Sequence, residues 1–258
     1  MKLLFVGDVV SETGCAFLSK KLPLLKRESG IDIVVVNGEN SALGNGITNH
    51  SAMQIFRAGA DIITTGNHAF QRRKELQIFE HSDVIRPVNY GSACPGRGFV
   101  IHDMGCCQIA VVNLSGVLFL ENLENPFSSM DCVLEQIRNE SPTPNIFVDF
   151  HAEATSEKRA MGFYLAGRVT AVLGTHTHVQ TADACILDSH TGYITDVGMT
   201  GVERSVLGVD VKTATDKLRF HAPVPYQDAK GACYLNAVLV EFDKTCGKCT
   251  KITPLIVR

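Results

Sequence analysis

The sequence predicts an α/β fold with a largely parallel β-sheet and an additional antiparallel part. Short apolar runs alternate with amphipathic segments from "KLLFVG" (2–7) to "RVTAVLGTHTH" (168–178), which is the β-α-β order typical of parallel sheets. Strand-like runs without intervening helices follow toward residue 258. Polar side chains also come directly after several of the apolar runs, which suggests a site at one edge of the sheet.

The helices are predicted from apolar spacings of three and four residues and from capping residues. Thr48 or Asn49 is a suitable N-cap and Gly59 a suitable C-cap for the second helix. The predicted helices cover 11–27, 48–59, 71–80, 128–139 and 156–167, and the predicted strands cover 2–7, 31–38, 60–68, 98–103, 107–116, 145–151 and 168–178.

Length and composition indicate one domain over residues 1–258, with the proline-containing stretch 221–231 as a loop inside it. A net charge of −3 argues against a duplex nucleic acid partner, which needs clustered Lys and Arg. No apolar run has membrane-spanning length, so no membrane partner is expected. The opening "MKLLFVGD" reaches Gly7 and Asp8 too soon for a signal peptide, which favours a cytoplasmic protein.

The nine cysteines are an odd number without a disulfide-like pattern, as expected in a reducing compartment. Cys246 and Cys249 form a single CxxC, whereas a zinc ribbon needs two. Because this motif lies between two strand-like runs, it predicts a hairpin turn with a structural role.

Two histidines, His176 and His178, lie two residues apart at the end of an apolar run. In a regular strand, residues two apart point to the same face, so the pair could ligate a metal. A pair of surface or hydrogen-bonded histidines is the alternative for this motif alone.

Five apolar runs each end in a carboxylate, carboxamide or imidazole group. Ligands bind at the carboxyl edge of open α/β sheets, and this set exceeds what one metal ion needs. It matches two ions that share a bridging carboxylate. No cysteine belongs to the set, which favours iron, manganese or zinc. Its members are Asp8, Glu39, Asn40, Asn67, His68, His151, His176 and His178.

Each residue of this set could instead have a purely structural role. Asp8 could be a helix N-cap, Asn67 a turn residue and His151 a hydrogen-bonded core histidine. Small residues beside the set should let the backbone approach the ions closely and adopt unusual dihedral angles; they are Gly7, Gly38, Gly66 and Gly174.

These motifs resemble the calcineurin-like metallophosphoesterase superfamily, whose signature is Asp…carboxylate…Gly-Asn-His…His…Gly-x-His-x-His. More narrowly, "NGENSALGNGIT" (37–48), "DFHAEATSEK" (149–158) and "TDVGMTG" (195–201) resemble the YmdB-like family of bacterial phosphodiesterases. The resemblance implies a sandwich of mixed parallel and antiparallel β-sheets flanked by helices. It also implies a homo-oligomer and two divalent ions per chain, with iron favoured and manganese or zinc as alternatives.

The resemblance assigns a role to each member of the set. Asp8, Glu39, Asn40 and His178 would hold one ion, with Asn40 replacing a histidine that most of the superfamily has where Val10 stands here. Glu39 would bridge to the second ion, which Asn67, His151 and His176 would also hold. His68 would protonate the leaving oxygen while a hydroxide between the ions attacks the phosphorus in line. The implied substrate is a small phosphodiester, with 2′,3′-cyclic nucleotides favoured.

The chain departs from the family pattern at positions that are not metal ligands. Phe70 and Gln71 replace a Trp-Asp pair after the Gly-Asn-His motif, and Val117 stands where the family has arginine. These departures concern the substrate and the rate more than the metal site. Arg86 and Arg97 could grip a phosphate or form ordinary surface pairs, and Asp196 could orient a ligand histidine or cap a turn.

Several other functions remain open from the sequence alone. The same metal site would serve a phosphomonoesterase, a nuclease or a 3′,5′-cyclic nucleotide phosphodiesterase. A regulatory protein that binds metal with little turnover belongs to a different class, and an intact His68 with a complete ligand set argues against it.

Overall fold

The computed structural model describes residues 1–221 and 223–258. Residue 222, which belongs to the predicted loop 221–231, lies outside the described residues. The strands are β1 (Lys2–Val6), β2 (Asp8–Val9), β3 (Ile33–Asn37), β4 (Ile62–Thr64), β5 (Phe99–Asp103), β6 (Gln108–Ser115), β7 (Ile146–His151), β8 (Ala171–Thr175), β9 (Cys185–Leu187), β10 (Thr191–Ile194), β11 (Met199–Val202), β12 (Cys233–Asp243) and β13 (Lys248–Val257).

The first sheet has the strand order β2-β11-β12-β1-β3-β4, with β13 also paired to β12. β1, β3 and β4 are parallel, whereas β12 is antiparallel to each of its neighbours. The turn between β12 and β13 contains Gly247 in the left-handed region, with φ 70°. Exposed Cys246 lies in this turn and buried Cys249 lies in β13, both as free thiols, which confirms the predicted hairpin.

The second sheet has the order β5-β6-β7-β8-β10-β9. Its four central strands are parallel, and β5 and β9 are antiparallel additions at the edges. The register places Ser115, His151 and Thr175 side by side at the carboxyl ends of β6, β7 and β8. Strand pairing alone therefore places His151 at the carboxyl edge of the second sheet.

Five α-helices and one 3₁₀ helix flank the sheets within the described residues. In α2 the Thr48 side chain accepts from the backbone N–H of Ser51, and Gly59 ends the helix in the left-handed region, as predicted. The helices are α1 (Ser11–Ser29), α2 (Asn49–Ala58), α3 (Pro126–Glu140), α4 (Thr155–Leu165) and α5 (Val211–Phe220), with the 3₁₀ helix at Arg73–Glu80.

Two elements differ from the sequence-based expectation. The predicted helix 71–80 is of the 3₁₀ type and buries only Ile78 and Phe79, so little apolar surface holds it in a regular α-helix. The helix α5 was not predicted, because strands alone were expected after residue 178. It buries only Ala214, and its clearest local signal is Asp210, whose side chain caps the N–H of Thr213.

Three apolar clusters divide the molecule into four layers. The faces of β1 illustrate the division, since Leu3 and Phe5 point between the sheets while Leu4 and Val6 point toward α1 and α2. A third cluster packs α3 and α4 against the outer face of the second sheet. Two mixed sheets flanked by helices confirm the predicted α/β sandwich. No helix among the described residues combines the length and apolarity needed to cross a membrane.

Candidate metal centre

The structure brings all eight predicted site residues together where the carboxyl ends of strands from both sheets meet. Asp8, Glu39, Asn40 and His151 are almost completely buried, His178 is 9% exposed, and the other three are partly buried. Within each sheet, parallel pairing brings strand ends to the same edge, and the packing of the two sheets against each other brings the two edges together.

One half of the cluster consists of Asp8, Asn40 and His178. The Nε2 atom of His178 lies 3.6 Å from Asp8 Oδ1 and 3.2 Å from Asn40 Nδ2. Asn40 Nδ2 is also 3.5 Å from Asp8 Oδ1. This group offers a carboxylate, a carboxamide and an imidazole around one point.

The other half consists of Glu39, Asn67, His151 and His176. The Nε2 atom of His151 lies 2.9 Å from Glu39 Oε1, 3.0 Å from Asn67 Oδ1 and 3.0 Å from His176 Nδ1. One ligand atom each from Glu39, His151 and His176 falls within 4.8 Å of the others. The spacing suits a single ion bound by nitrogen and oxygen.

His68 lies at the mouth of the cluster and is joined to it through Glu39. Its Nδ1 atom is 2.9 Å from Glu39 Oε1, and its side chain is 29% exposed. Its Nε2 atom forms no hydrogen bond within the described residues. A histidine that is held at one nitrogen and free at the other can transfer a proton to a bound molecule.

The local backbone at His176 and His178 differs from the strand geometry that the sequence suggested. β8 ends at Thr175, and both histidines have left-handed φ values, 97° and 63°. They reach the same site because the chain turns after the strand, not because a regular strand alternates. The backbone N–H of His176 donates to Asp8 Oδ2 at 3.2 Å and anchors this turn.

The prediction for the neighbouring glycines is half right. Gly7, Gly38, Gly66 and Gly174 are absent from the residues with positive φ, so they do not supply unusual dihedral angles. Close approach is the real constraint: a Cβ on Gly66 would lie 2.1 Å from Glu39 Oε2 and 2.4 Å from His151 Nε2. Only glycine leaves that space open to a ligand.

Each of the three predicted ligand histidines has its second nitrogen hydrogen-bonded away from the site. His178 Nδ1 is 3.1 Å from the carbonyl oxygen of Leu207 and so donates to it. His151 Nδ1 is 2.9 Å from Thr175 Oγ1, and His176 Nε2 is 2.9 Å from a carboxylate oxygen of Glu153. Such partners fix the tautomer and leave the inward nitrogen unprotonated for a metal.

A buried carboxylate, Asp149, supports this arrangement from beneath. Its Oδ1 accepts from Thr175 Oγ1 at 2.6 Å, and its Oδ2 accepts from Thr64 Oγ1 and Asn37 Nδ2 at 2.5 and 2.9 Å. Burial raises its pKa to about 6, although His151 and the three donors act in the opposite direction. Asp149 therefore connects the second sheet to the ends of β3 and β4 in the first.

A buried ion pair holds the turn that carries the histidines. Lys158 Nζ lies 2.7 Å from Asp196 Oδ2, and both side chains are buried. The same oxygen accepts from the backbone N–H and hydroxyl of Thr177, at 3.0 and 2.7 Å. Thr177 separates His176 from His178, so Asp196 holds this turn without a hydrogen bond to either histidine. Its Oδ1 also accepts from the backbone N–H of Gly198 at 2.8 Å, which agrees with the predicted turn-capping alternative.

The residues present fit divalent metal ions. Glu39 Oε2 and Asn40 Oδ1 are buried without a hydrogen-bond partner, which is costly unless a ligand satisfies them. Burial alone raises the pKa of Glu39, but the charge and hydrogen bond of His151 outweigh it and lower the pKa to about 2. Burial opposes a charge on His151, yet Glu39 raises its pKa to about 9. A metal ion would replace that proton, since imidazole ligands bind in the neutral form.

The positions that depart from the family pattern are structurally accommodated. Phe70 packs edge-on against Phe79 and Tyr90, and Gln71 is exposed. The backbone N–H of Val117 donates to Glu157 at 2.9 Å.

Arg86 is hydrogen-bonded to the backbone of the loop that follows it. It is buried, and its guanidinium donates to backbone carbonyls, among them those of Pro87 and Val88. Arg97 is exposed and lines a separate cavity of about 620 Å³ beside Arg86.

Sequence reasoning missed the supporting residues of the site. Asp149, Glu153 and Lys158 all lie in "DFHAEATSEK", the motif that carries His151. The motif itself was therefore the available signal, but the partners of these side chains come from other strands.

A family model described as "YmdB-like protein" matches residues 4–255. The chain belongs to the YmdB-like family. It is 40% identical to a 2′,3′-cyclic-nucleotide 2′-phosphodiesterase from Bacillus subtilis, over 100% of this chain and 97% of that one.

Two solved structures are similar over nearly their whole length. A hypothetical protein from Thermus thermophilus has a TM-score of 0.93 and 38% identity, covering 99% of this chain and 98% of that one. A novel phosphatase from Mycoplasma pneumoniae has a TM-score of 0.94 and 30% identity, covering 100% and 93%. Membership of this family makes the chain a phosphoric diester hydrolase and confirms the predicted enzyme class.

Proposed function

We propose that this YmdB-like chain is a dimetal phosphodiesterase that hydrolyses 2′,3′-cyclic nucleotides. The observation that carries the proposal is the position of Glu39. Its Oε1 lies 2.9 Å from both His151 Nε2 and His68 Nδ1, so one carboxylate joins the predicted metal ligands to the predicted proton donor. The B. subtilis relative supports the substrate class.

The ligand set divides between two ions. Asp8, Asn40 and His178 would hold one; Asn67, His151 and His176 would hold the other; and Glu39 would contribute to both. When bound, two divalent ions neutralise phosphoryl oxygens and activate water. Nitrogen and oxygen donors without thiolate suit iron, manganese or zinc, and the resemblance to the YmdB-like family favours iron among the three.

The protein's own residues complete the reaction. The oxygen of water forms a bond to phosphorus as the water releases one proton to solvent, the bond from phosphorus to one ribose oxygen breaks, and His68 gives its proton to that oxygen. Glu39 orients His68 through Nδ1, which leaves Nε2 to meet the leaving group. A positioned acid contributes about 10²–10⁴-fold to such reactions.

The test combines metal content with product analysis. We would determine iron, manganese and zinc in the purified protein, and assay 2′,3′-cyclic AMP, 3′,5′-cyclic AMP and bis-p-nitrophenyl phosphate. We expect about two metal ions per chain and preferential hydrolysis of the 2′,3′-cyclic substrate. Asn67→Ala should lose metal and activity together. His68→Ala should keep metal and lose activity about 10²–10⁴-fold, while His102→Ala on β5 serves as the matched control.

Other outcomes correspond to the alternatives left open by the sequence. Hydrolysis of the generic diester alone would retain the metal site but reject the substrate. Inactive protein after iron or manganese is restored would reject the enzyme function and favour a regulatory role.

The cellular setting is part of the same proposal. Free thiols at all nine cysteines support a reducing, cytoplasmic location. Homo-oligomerisation and a single domain over 1–258 stay predictions, which sedimentation and limited proteolysis can test.

A further inference from the structure

Glu153 is an anionic side chain at the mouth of the metal centre. It follows His151 by two residues, and its Oε2 lies 2.9 Å from His176 Nε2. The side chain is 49% exposed, unlike the buried carboxylates of Asp8 and Glu39. Glu153 therefore contacts the outer nitrogen of His176, whose other nitrogen faces the ligand cluster. About half of the Glu153 side chain is accessible to an arriving molecule.

No lysine or arginine among the described residues forms an ion pair with Asp8, Glu39 or Glu153, which pair only with histidines. The cations of nearby segments are engaged elsewhere. Lys158 pairs with Asp196, and Arg72 donates to the carbonyl oxygen of Asn45. Among the described residues, Glu153 therefore has no ion-pair partner other than His176.

We propose that Glu153 is a specificity-determining residue that favours monoanionic phosphodiesters over dianionic phosphomonoesters. The inference rests on the proposed phosphodiesterase function and deepens it. A phosphodiester carries one negative charge, whereas a phosphomonoester carries nearly two at neutral pH because its second pKa is about 6. A fixed carboxylate beside the site repels the second charge, and no arginine is available at Val117 to attract it.

The same repulsion assists turnover. Hydrolysis of a cyclic phosphodiester converts a monoanion into a phosphomonoester dianion within the site. Glu153 therefore disfavours the product more than the substrate. Its position on the outer nitrogen of His176 lets it act on charge without occupying the place of a ligand.

The test replaces the charge while keeping the shape and the hydrogen bond. Glu153→Gln retains an acceptor oxygen for His176, Glu153→Asp retains the charge, and Glu135→Gln on the exposed face of α3 is the matched charge control. Each metal-loaded protein is assayed with p-nitrophenyl phosphate and bis-p-nitrophenyl phosphate. Binding of inorganic phosphate and of dimethyl phosphate is measured separately by calorimetry, with metal content checked in every sample.

We expect Glu153→Gln to raise the ratio of monoester to diester kcat/KM about tenfold and to tighten phosphate binding similarly, with dimethyl phosphate binding unchanged. Both effects should shrink at high salt. Glu153→Asp and Glu135→Gln should match the wild-type ratio.

Equal changes for the two substrates, or unchanged phosphate affinity, would overturn the inference. Because phosphate binding needs no turnover, the role of Glu153 can fail or hold independently of the proposed substrate.

Discussion

The proposed histidine ligands and the proposed oxygen ligands of the candidate metal centre differ in how the surrounding protein holds them. His151, His176 and His178 each have their outer nitrogen hydrogen-bonded to a fixed acceptor. On the oxygen side, Glu39 Oε2 and Asn40 Oδ1 are buried without partners. The imidazoles are therefore oriented before metal arrives, whereas two oxygens depend on the metal to satisfy them.

The largest expected effect comes from the ion pair behind the histidine turn. Lys158→Met should destabilise the metal-free protein by about 3–5 kcal/mol, because Asp196 would remain buried without its cation. Urea unfolding measures the change. Lys212→Met, which removes an exposed i,i+4 pair on α5, should leave stability unchanged. A loss below about 1 kcal/mol for Lys158→Met would show that the histidine side is not held by this pair.

The next effect tests the hydrogen-bond chain from His151 to Asp149. Thr175→Val keeps the shape of the side chain but leaves both partners without their shared hydroxyl. We expect metal affinity to fall about 10–100-fold and the metal-free protein to lose about 1–3 kcal/mol. Equilibrium dialysis and urea unfolding measure the two quantities. Unchanged metal affinity would contradict a positioning role for Thr175.

A substitution among the proposed oxygen ligands should weaken metal binding but leave the stability of the metal-free protein nearly unchanged. Asn40→Leu removes a ligand together with a buried oxygen that has no partner in the metal-free protein. We expect metal binding at this half of the site to be lost, while the unfolding free energy of metal-free protein changes by less than about 1 kcal/mol. A loss comparable to that of Thr175→Val would erase the distinction between the two sides.

The smallest expected effect concerns the reactivity of a buried cysteine thiol. Cys15 lies beneath the oxygen side, with its thiol 3.7 Å from the carbonyl oxygen of Ser41. Burial, with a contribution from Glu12, raises its pKa to about 12. The thiolate fraction of Cys15 is therefore small at pH 8, and it rises about tenfold for each unit by which the pH is increased toward that pKa. Mass spectrometry after iodoacetamide treatment should show Cys132 on α3 modified well before Cys15. Equal rates in metal-free protein would indicate that the oxygen side opens freely.

The sequence predicted the proposed metal ligands more completely than the residues that hold those ligands in place. Strand ends could be located from apolar runs, and parallel pairing then places Asp8 and Glu39 at one edge of the first sheet and His151 at one edge of the second. The contacts of Asp149 were not predictable in this way. They depend on how two sheets stack, and no local pattern specifies that Thr64 on one sheet lies opposite Asp149 on the other.

Backbone conformation and helix type were also not predictable from the sequence. The left-handed turn at His176 and His178 is imposed by contacts with Asp8 and Asp196, which are distant in sequence. Segments with few buried residues gave weak periodic signals, so α5 was missed and the 3₁₀ helix at Arg73–Glu80 was expected to be an α-helix.

The strand order of the first sheet has a consequence for biosynthesis. β1 leads to Asp8 but pairs with β12, which ends at Asp243, so the sheet edge that presents the first ligand is completed by almost the last strand of the chain. Ribosomes add about 5–20 residues per second, which separates the synthesis of these two strands by roughly 10–50 s. The residues that precede β12 therefore cannot complete this part of the sheet by themselves, and the first proposed ligand reaches its final position only after β12 has been synthesised.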